Sequence, residues 1–310
     1  MRYICVISSQ AGTGQSLSVV QLLSEYFPGP RNSVLLDPPG TLIDALCREH
    51  RSEELRLVVA GGDGTIHRLL AAAAKYDVPI GILPNGTAND FARTVGLKRS
   101  MDECCQVIQA DQTRAIDLVE VNGRLFATSG GLGLPSSVAI ERNCRCSLKR
   151  ASWMHTRVIR KCTYLFAALH ELGRSHSLEV RIENGGLLWS GRAMAVVVSN
   201  QARFGVLFSL SPKAVDNDGI FDLCVIPDPG SRLREAGIVL QAALGREAVL
   251  PGVTHRRLSH ARIFTDRIVP FFGDGEILAY DREFRIVLLP QAVRFIVPKR
   301  VGAEEVQSCA

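Results

Sequence analysis

The sequence predicts two domains, an N-terminal doubly wound, mainly parallel α/β domain and a C-terminal antiparallel β-sandwich. Up to about residue 112, short aliphatic runs alternate with helical patterns, which is typical of a parallel sheet. Beyond that point, asparagine–glycine turns separate β-branched runs, which is typical of antiparallel hairpins. The chain has 310 residues, of which 46% are hydrophobic, so it can bury two ordinary cores. We expect domains at 1–115 and 116–298 with a cleft between them, and a loose tail at 299–310.

The first domain opens with strands and helices in alternation. The pattern predicts strands at 2–7 and 33–36 and helices at 17–26 and 41–51. Gly12 and Gly14 lie in the turn that follows the first strand. Because this turn lacks the lysine of a P-loop, the sequence excludes a Walker A site.

A strand at 55–60, a turn that reads GGDGT at 61–65 and a helix at 66–76 form the centre of this domain. The glycines permit positive φ and let backbone N–H groups approach a ligand, and the helix directs its positive end to the same place. These features predict an anion site. Asp63 would repel a bound phosphate unless a divalent cation lay between them, so it implies Mg²⁺ if the anion is a nucleotide.

The same design recurs immediately downstream. A strand at 78–83 precedes a turn that reads PNGT at 84–87, and Asn89 and Asp90 are good capping residues for a helix that begins at Phe91. A single turn of this kind would most simply connect a strand to a helix. Two in succession favour phosphate binding.

Hairpin signals dominate the second half of the chain. Asn122-Gly123 separates strands predicted at 116–121 and 124–128, and Asn184-Gly185-Gly186 separates strands predicted at 178–183 and 187–198. Further strands are predicted at 221–226, 258–265, 283–289 and 293–297, and helices at 152–172 and 232–245.

Composition excludes several classes of protein. No apolar run reaches the ~18 residues that cross a bilayer, and residues 1–9 lack the pattern of a signal peptide, so we expect a soluble, cytoplasmic protein. Nine cysteines without paired C-x-x-C spacing argue against a disulfide framework and a zinc site. The formal net charge of +5 is modest, so the placement of the charges matters more than their sum.

The run GGDGT at 61–65, followed by GILPNGTANDFAR at 81–93, resembles the catalytic domain of the diacylglycerol kinase family. That family also includes sphingosine and ceramide kinases and compact bacterial lipid kinases. NAD kinases and phosphofructokinases share only the first turn, whereas the run from Gly86 to Ala92 is selective for lipid kinases. The resemblance extends over residues 2–298.

The resemblance implies an ATP- and Mg²⁺-dependent kinase that phosphorylates a lipid hydroxyl. It also implies a nucleotide site made of Gly12, Gly14, Gly61, Gly62, Asp63, Gly64, Thr65, Ile66, His67, Gly86, Thr87, Asn89 and Asp90. The family usually has Asn-Pro-x-Ser-Gly-x-Gly in the first turn, so Gly12 and Gly14 match while Ser8, Ser9 and Ala11 depart from the pattern.

Two further segments carry carboxylates that the resemblance assigns to roles. Asp274-Gly275 satisfies a hairpin turn, but turn geometry does not demand Glu276, and the corresponding glutamate of lipid kinases is the general base. The catalytic pair would then be Glu276 and Asp63. Upstream, Asp218 resembles the side-chain ligand of a structural metal, with the carbonyls of Val215 and Ile220 beside it; an ordinary Asx-rich turn has the same composition.

The segment 142–161 combines seven basic residues with interspersed apolar ones and has no acidic residue. It is either a solvated face or a surface that docks on an anionic membrane. Nucleic acid is disfavoured as a partner, because the chain lacks an aromatic ladder and strong overall basicity.

Two other functions stay open on the sequence alone, an NAD kinase on a related scaffold and a catalytically silent lipid- or nucleotide-binding protein. The acceptor lipid is also open among diacylglycerol, a sphingoid base, phosphatidylglycerol and a polyprenol. The sequence does not determine the oligomeric state, and a homodimer is compatible with it.

Overall fold

A computed structural model describes residues 1–9, 16–86, 89–97, 100–137, 177–202, 211–243 and 252–299. These residues fall into two compact units. The first comprises residues 1–115 together with 293–299, and the second comprises residues 116–292.

The first unit is built on a parallel sheet, as predicted. Its strands are β1 (Arg2–Ile7), β2 (Ser33–Leu36), β3 (Leu55–Gly61) and β4 (Ile80–Pro84), hydrogen-bonded in the order β4-β3-β1-β2. Its helices are α1 (Ser16–Tyr26), α2 (Gly40–Glu49), α3 (Asp63–Tyr76), α4 (Asp90–Thr94) and α5 (Met101–Ala110). Leu57, Val58 and Val59 in the middle of β3 are each fully buried, as expected for a central strand covered on both faces.

The second unit is mainly antiparallel. Its strands are β5 (Thr113–Val121), β6 (Arg124–Phe126), β7 (Ser129–Gly133), β8 (Leu178–Glu183), β9 (Leu187–Ser199), β10 (Phe221–Pro227), β11 (Thr254–Leu258), β12 (His260–Gly273) and β13 (Glu276–Ile296), with helix α6 (Arg232–Ala243) between β10 and β11. The pairs β5/β6, β7/β9, β8/β9, β9/β10, β10/β11 and β12/β13 are all antiparallel. Phe126, Phe271 and Phe284 stack in its core.

Two of the predicted hairpins have the geometry that their sequences favour. Asn122 and Gly123 have φ values of 48° and 80°, and Asp274 and Gly275 have values of 53° and 86°. Positive φ at both central residues is the mark of a type I′ turn, in which the backbone twist matches that of the flanking strands. The two-residue turns therefore set the register of the strands beside them.

Several predicted boundaries in the second half are wrong. The strands expected at 283–289 and 293–297 both fall on the single strand β13, which ends at Ile296. The strand expected at 124–128 ends earlier, at Phe126 of β6. The strand expected at 258–265 is divided between β11 and β12. The helix expected at 152–172 lies outside the described residues.

The predicted end of the second domain at 298 also differs from the structure. The last residues of β13 belong to the first unit, because Phe295 pairs in parallel with Ile80 of β4. The Val297 amide then donates a hydrogen bond to the carbonyl oxygen of Gln112 at 2.7 Å. The chain thus returns to the first unit at Val293.

No helix within the described ranges is long and apolar enough to cross a membrane.

Five cysteines of the described residues are buried thiols: Cys5, Cys47, Cys104, Cys105 and Cys224. Burial raises the pKa of Cys47 to about 11 and the pKa of Cys5, Cys105 and Cys224 to about 12. These four thiols are therefore protonated at neutral pH. Since the thiolate is the reactive form, they are poor nucleophiles as well as inaccessible.

We therefore expect these five cysteines to resist iodoacetamide in the native protein at neutral pH and to react fully after unfolding in guanidinium. Peptide mass spectrometry of the two samples measures both states. Rapid native labelling of Cys5 or Cys224 would contradict the burial of these thiols.

Candidate active site

The turn between β3 and α3 is tight without unusual backbone angles. None of Gly61, Gly62 and Gly64 has positive φ, so the turn does not use the left-handed conformation that glycine permits. Gly62 is the extended N-cap of α3, and its carbonyl oxygen accepts hydrogen bonds from the amides of Thr65 and Ile66. Gly61 instead lets the Thr65 side chain pack directly against the backbone, since a Cβ atom on Gly61 would lie 2.8 Å from the Thr65 hydroxyl oxygen.

The two predicted turns meet directly. Gly61 pairs with Pro84 at the carboxyl ends of β3 and β4, and the Asn85 amide donates to the Gly61 carbonyl oxygen at 3.2 Å. A Cβ atom on Gly86 would lie only 2.3 Å from the Gly62 Cα atom. The two backbones are therefore packed against each other with no room for a side chain between them.

Asp63 joins these turns through its side chain. It stands in the first turn of α3, and its Oδ1 atom accepts a hydrogen bond from the Phe91 amide at 3.0 Å, in the first turn of α4. The carboxylate thus supplies the N-terminal cap of a helix other than its own. Its negative charge also interacts favourably with the positive end of the α3 dipole, because Asp63 lies in the first turn of that helix.

The predicted capping of α4 by its own N-terminal residues is wrong for Asn89. Asn89 has a left-handed backbone with φ of 52° and makes no side-chain cap. Its Oδ1 atom instead accepts a hydrogen bond from the Gly86 amide at 2.9 Å, so the side chain closes the second turn. The helix begins at Asp90, whose side chain lies outside the described residues.

The other residues predicted to bind the nucleotide differ in how far their side chains are exposed. Thr65 is nearly buried against Gly61, and the Ile66 side chain is in the core with 1% exposure, so Ile66 cannot present its side chain to a ligand. His67 is half-buried on α3. Gly12, Gly14 and Thr87 lie outside the described residues, as does the basic segment 142–161.

The two carboxylates of the β12–β13 turn have separate surroundings. The Asp274 side chain accepts hydrogen bonds from the Ala127 amide at 3.0 Å, the Thr128 amide at 2.8 Å and the Thr128 hydroxyl at 2.6 Å. Glu276 is exposed at the start of β13, and among the described residues nothing donates a hydrogen bond to its carboxylate. The Asp274 carboxylate therefore holds the turn in place through its hydrogen bonds. The Glu276 carboxylate makes no such bond to the described residues.

Comparison with known proteins identifies the family of the chain. Residues 2–121 match the family described as "Diacylglycerol kinase catalytic domain", and residues 146–297 match the "YegS C-terminal NAD kinase beta sandwich-like domain". A protein of Pseudomonas syringae pv. syringae named "Probable lipid kinase YegS-like" is 31% identical over 84% of this chain and 81% of its own length.

The chain belongs to the family of YegS-like lipid kinases. "Probable lipid kinase YegS" of Escherichia coli O9:H4 is 29% identical over 78% of both chains. The crystal structure of a diacylglycerol kinase from Bacillus anthracis str. Sterne has the same fold, with a TM-score of 0.73 at 21% identity over 97% of this chain and 98% of that chain. The predicted two-domain layout with a C-terminal β-sandwich is confirmed.

Sequence reasoning missed a buried carboxylate in this lipid-kinase fold. Asp117 is fully buried on β5 and accepts hydrogen bonds from the Gly219 amide at 2.8 Å and the Gln291 amide at 2.7 Å. The Asn200 side chain donates to the carbonyl oxygens of Asp117 and Ala127. A single aspartate between Ile116 and Leu118 was the available signal, because a charge in a buried strand requires partners.

The only side chain of the predicted structural-metal site, that of Asp218, already has partners among the described residues. The Asp218 carboxylate pairs with the Arg257 guanidinium and accepts the Ile220 amide at 3.3 Å, so a cationic group already occupies it. Over the described ranges, no group of three or more histidine, cysteine, aspartate or glutamate side chains could hold a metal ion.

The contact between Gly62 and Gly86 yields a stability prediction. We expect Gly86→Ala to destabilise the protein by about 1 to 3 kcal/mol, because the new methyl group must push apart two backbones that also anchor α3 and α4. Chemical denaturation measures the change. Gly186→Ala is the matched control, since a Cβ atom there would meet nothing within 4 Å. Equal effects of the two substitutions would contradict the close packing of the turns.

Proposed function

We propose that this lipid kinase transfers the γ-phosphoryl group of ATP to the hydroxyl group of a lipid, with Mg²⁺ as the metal. The observation that carries the proposal is the packing of two glycine turns at the ends of β3 and β4, with Asp63 linking them. Ligands of open parallel sheets bind at the carboxyl ends of the strands. Membership of the family supports the lipid acceptor.

The phosphate-holding role belongs to the turn from Gly61 to Thr65. The N-cap residue Gly62 has no side chain to satisfy the first amides of α3, and α3 is 14 residues long. The positive end of a long helix attracts a phosphate group. Glycine at 62 and 86 lets the two turns pack directly against each other. Gly64, Thr65 and the second turn would line the phosphate site.

Asp63 fits Mg²⁺ through the chemistry of its side chain, because hard carboxylate oxygens are the ligands that this ion prefers. The bound ion would neutralise charge on the transferred phosphoryl group. Asp63 itself is held in place by the Phe91 amide, so its position depends on the second turn. The carboxylate would therefore orient the metal-bound nucleotide and stabilise α4 at the same time.

Glu276 would act as the general base. Its carboxylate is exposed and, within the described part of the chain, makes no ion pair or hydrogen bond that would have to be broken first. The neighbouring Asp274 holds the hairpin in place through three donors. Glu276 would accept the proton of the lipid hydroxyl as that oxygen attacks phosphorus.

A diacylglycerol-like lipid or a sphingoid base is the acceptor class that we propose. Peripheral binding to an anionic membrane through the basic segment 142–161 also stays a prediction from the sequence, as does a cytoplasmic location.

The decisive assay incubates the purified protein with γ-labelled ATP, Mg²⁺ and a total lipid extract, with NAD in a parallel tube. Label in the organic phase is the expected result, and mass spectrometry then identifies the lipid. Label in NAD alone would assign the chain to NAD phosphorylation. Label in neither tube would favour a silent binding protein.

Substitutions at Asp63 separate its two roles. Asp63→Asn keeps an oxygen that can accept the Phe91 amide, so we expect a nearly unchanged unfolding midpoint but a large loss of turnover, because the charge that holds the metal is gone. Asp63→Ala removes both functions and should also lower stability by about 1 kcal/mol, the usual cost of a lost cap. Thermal unfolding and the lipid assay measure the two effects, and full activity of Asp63→Asn would refute the metal role.

Substitution of Glu276 tests the base. Glu276→Gln should lower kcat by about 10²- to 10⁴-fold and leave ATP affinity nearly unchanged, because only the proton acceptor is removed. Stability should be unaffected, since the side chain is exposed and unbonded within the described residues. Asp274→Asn is the control and should lower stability. If Glu276→Gln retained normal turnover, the base would have to be another group.

A further inference from the structure

Two aspartates surround one arginine where β10 and β11 pair. Asp222 and Arg257 are direct cross-strand partners, and the Arg257 Nε atom lies 3.4 Å from an Asp222 carboxylate oxygen. The Nη2 atom of the same guanidinium binds Asp218, in the turn that leads into β10. Asp218 and Asp222 have side chains that are 26% and 12% exposed, so both carboxylates are largely withdrawn from water.

The same turn is held from its other side by Asp117. The Gly219 amide donates to Asp117, which is fully buried and also accepts the Gln291 amide. Gly219 has φ of 78°, and this left-handed conformation favours glycine here. The turn therefore has a buried anion bound to its backbone and two further carboxylates that need a cation.

A divalent cation and a guanidinium can both meet that need, but in different ways. Calcium and magnesium require six or more oxygen ligands in a closed shell. Arginine is always charged, and its planar fork of N–H donors can serve two carboxylates at once. Here the carboxylates of Asp218 and Asp222 are oriented to Arg257, and no third acidic side chain completes a metal shell in the part of the chain that the structure describes.

We propose that Arg257 takes the place of a structural metal at this turn, so that the protein needs no divalent cation to hold the turn against β10 and β11. The proposal does not depend on the transferred group or the acceptor lipid.

The test uses the full chain without nucleotide and follows thermal unfolding in EDTA, in millimolar Ca²⁺ and in millimolar Mg²⁺. The wild-type midpoint should be the same in all three solutions. Arg257→Gln should lower the midpoint by about 2 to 4 °C, and Ca²⁺ should restore part of that loss because two carboxylates are then left without a cation. Arg256→Gln is the matched control, because Arg256 lies next along β11 and, among the described residues, its guanidinium bonds only to the His255 carbonyl oxygen.

Several results would overturn the proposal. These are a wild-type midpoint that falls in EDTA or rises with Ca²⁺, an Arg257→Gln midpoint equal to that of Arg256→Gln, and an Arg257→Gln loss that no divalent cation restores. If Arg257→Gln does not fold, Arg257→Lys keeps the positive charge and should fold with a midpoint that Ca²⁺ leaves unchanged. A rise of the Arg257→Lys midpoint with Ca²⁺ would also contradict the proposal.

Discussion

The hydrogen bond from the Phe91 amide to the Asp63 carboxylate ties the two halves of the candidate nucleotide site to each other. It is made possible by the contact of Gly62 with Gly86, where a Cβ atom would find no space. If the turns moved apart, α4 would lose its N-terminal cap and Asp63 would lose the donor that orients it. The residue that we propose for metal binding is therefore also a structural element of its own surroundings. Activity and local stability are coupled at this position.

Much of this organisation could be predicted from the sequence, because it depends on local signals. The alternation of strand and helix patterns indicated the parallel sheet, and Asn122-Gly123 and Asp274-Gly275 indicated tight hairpins, since few residue pairs accept positive φ twice in succession. The two glycine turns were found because glycine clusters between a strand pattern and a helix pattern mark tight turns. Glu276 could also be singled out, because it adds a carboxylate beside Asp274-Gly275 that the turn itself does not require.

The sequence could not predict which residues far apart in the chain would become hydrogen-bond or ion-pair partners. Asn89 was expected to cap α4, but its left-handed backbone directs the side chain to Gly86. The cap comes instead from Asp63, which lies 28 positions before the Phe91 amide that it accepts. Asp117 binds amides 102 and 174 positions away. Asp218 has the composition of a metal ligand, yet Arg257, 39 positions away, neutralises it. Each outcome depends on which group the fold brings near, and composition within one segment carries no such information.

The return of the chain to its starting unit has a consequence for biosynthesis. Phe295 pairs with Ile80, Arg294 binds Asp77 at 2.8 Å, and Val297 binds Gln112, so three contacts of the first unit come from the far end of the chain. A ribosome must synthesise the whole second unit before these residues emerge. The nascent N-terminal sheet therefore has an unpaired edge at β4 for most of translation, and unpaired strand edges are sites of aggregation. Truncation near the C-terminus would leave the same edge open in the mature protein, although every residue of the nucleotide turns would still be present.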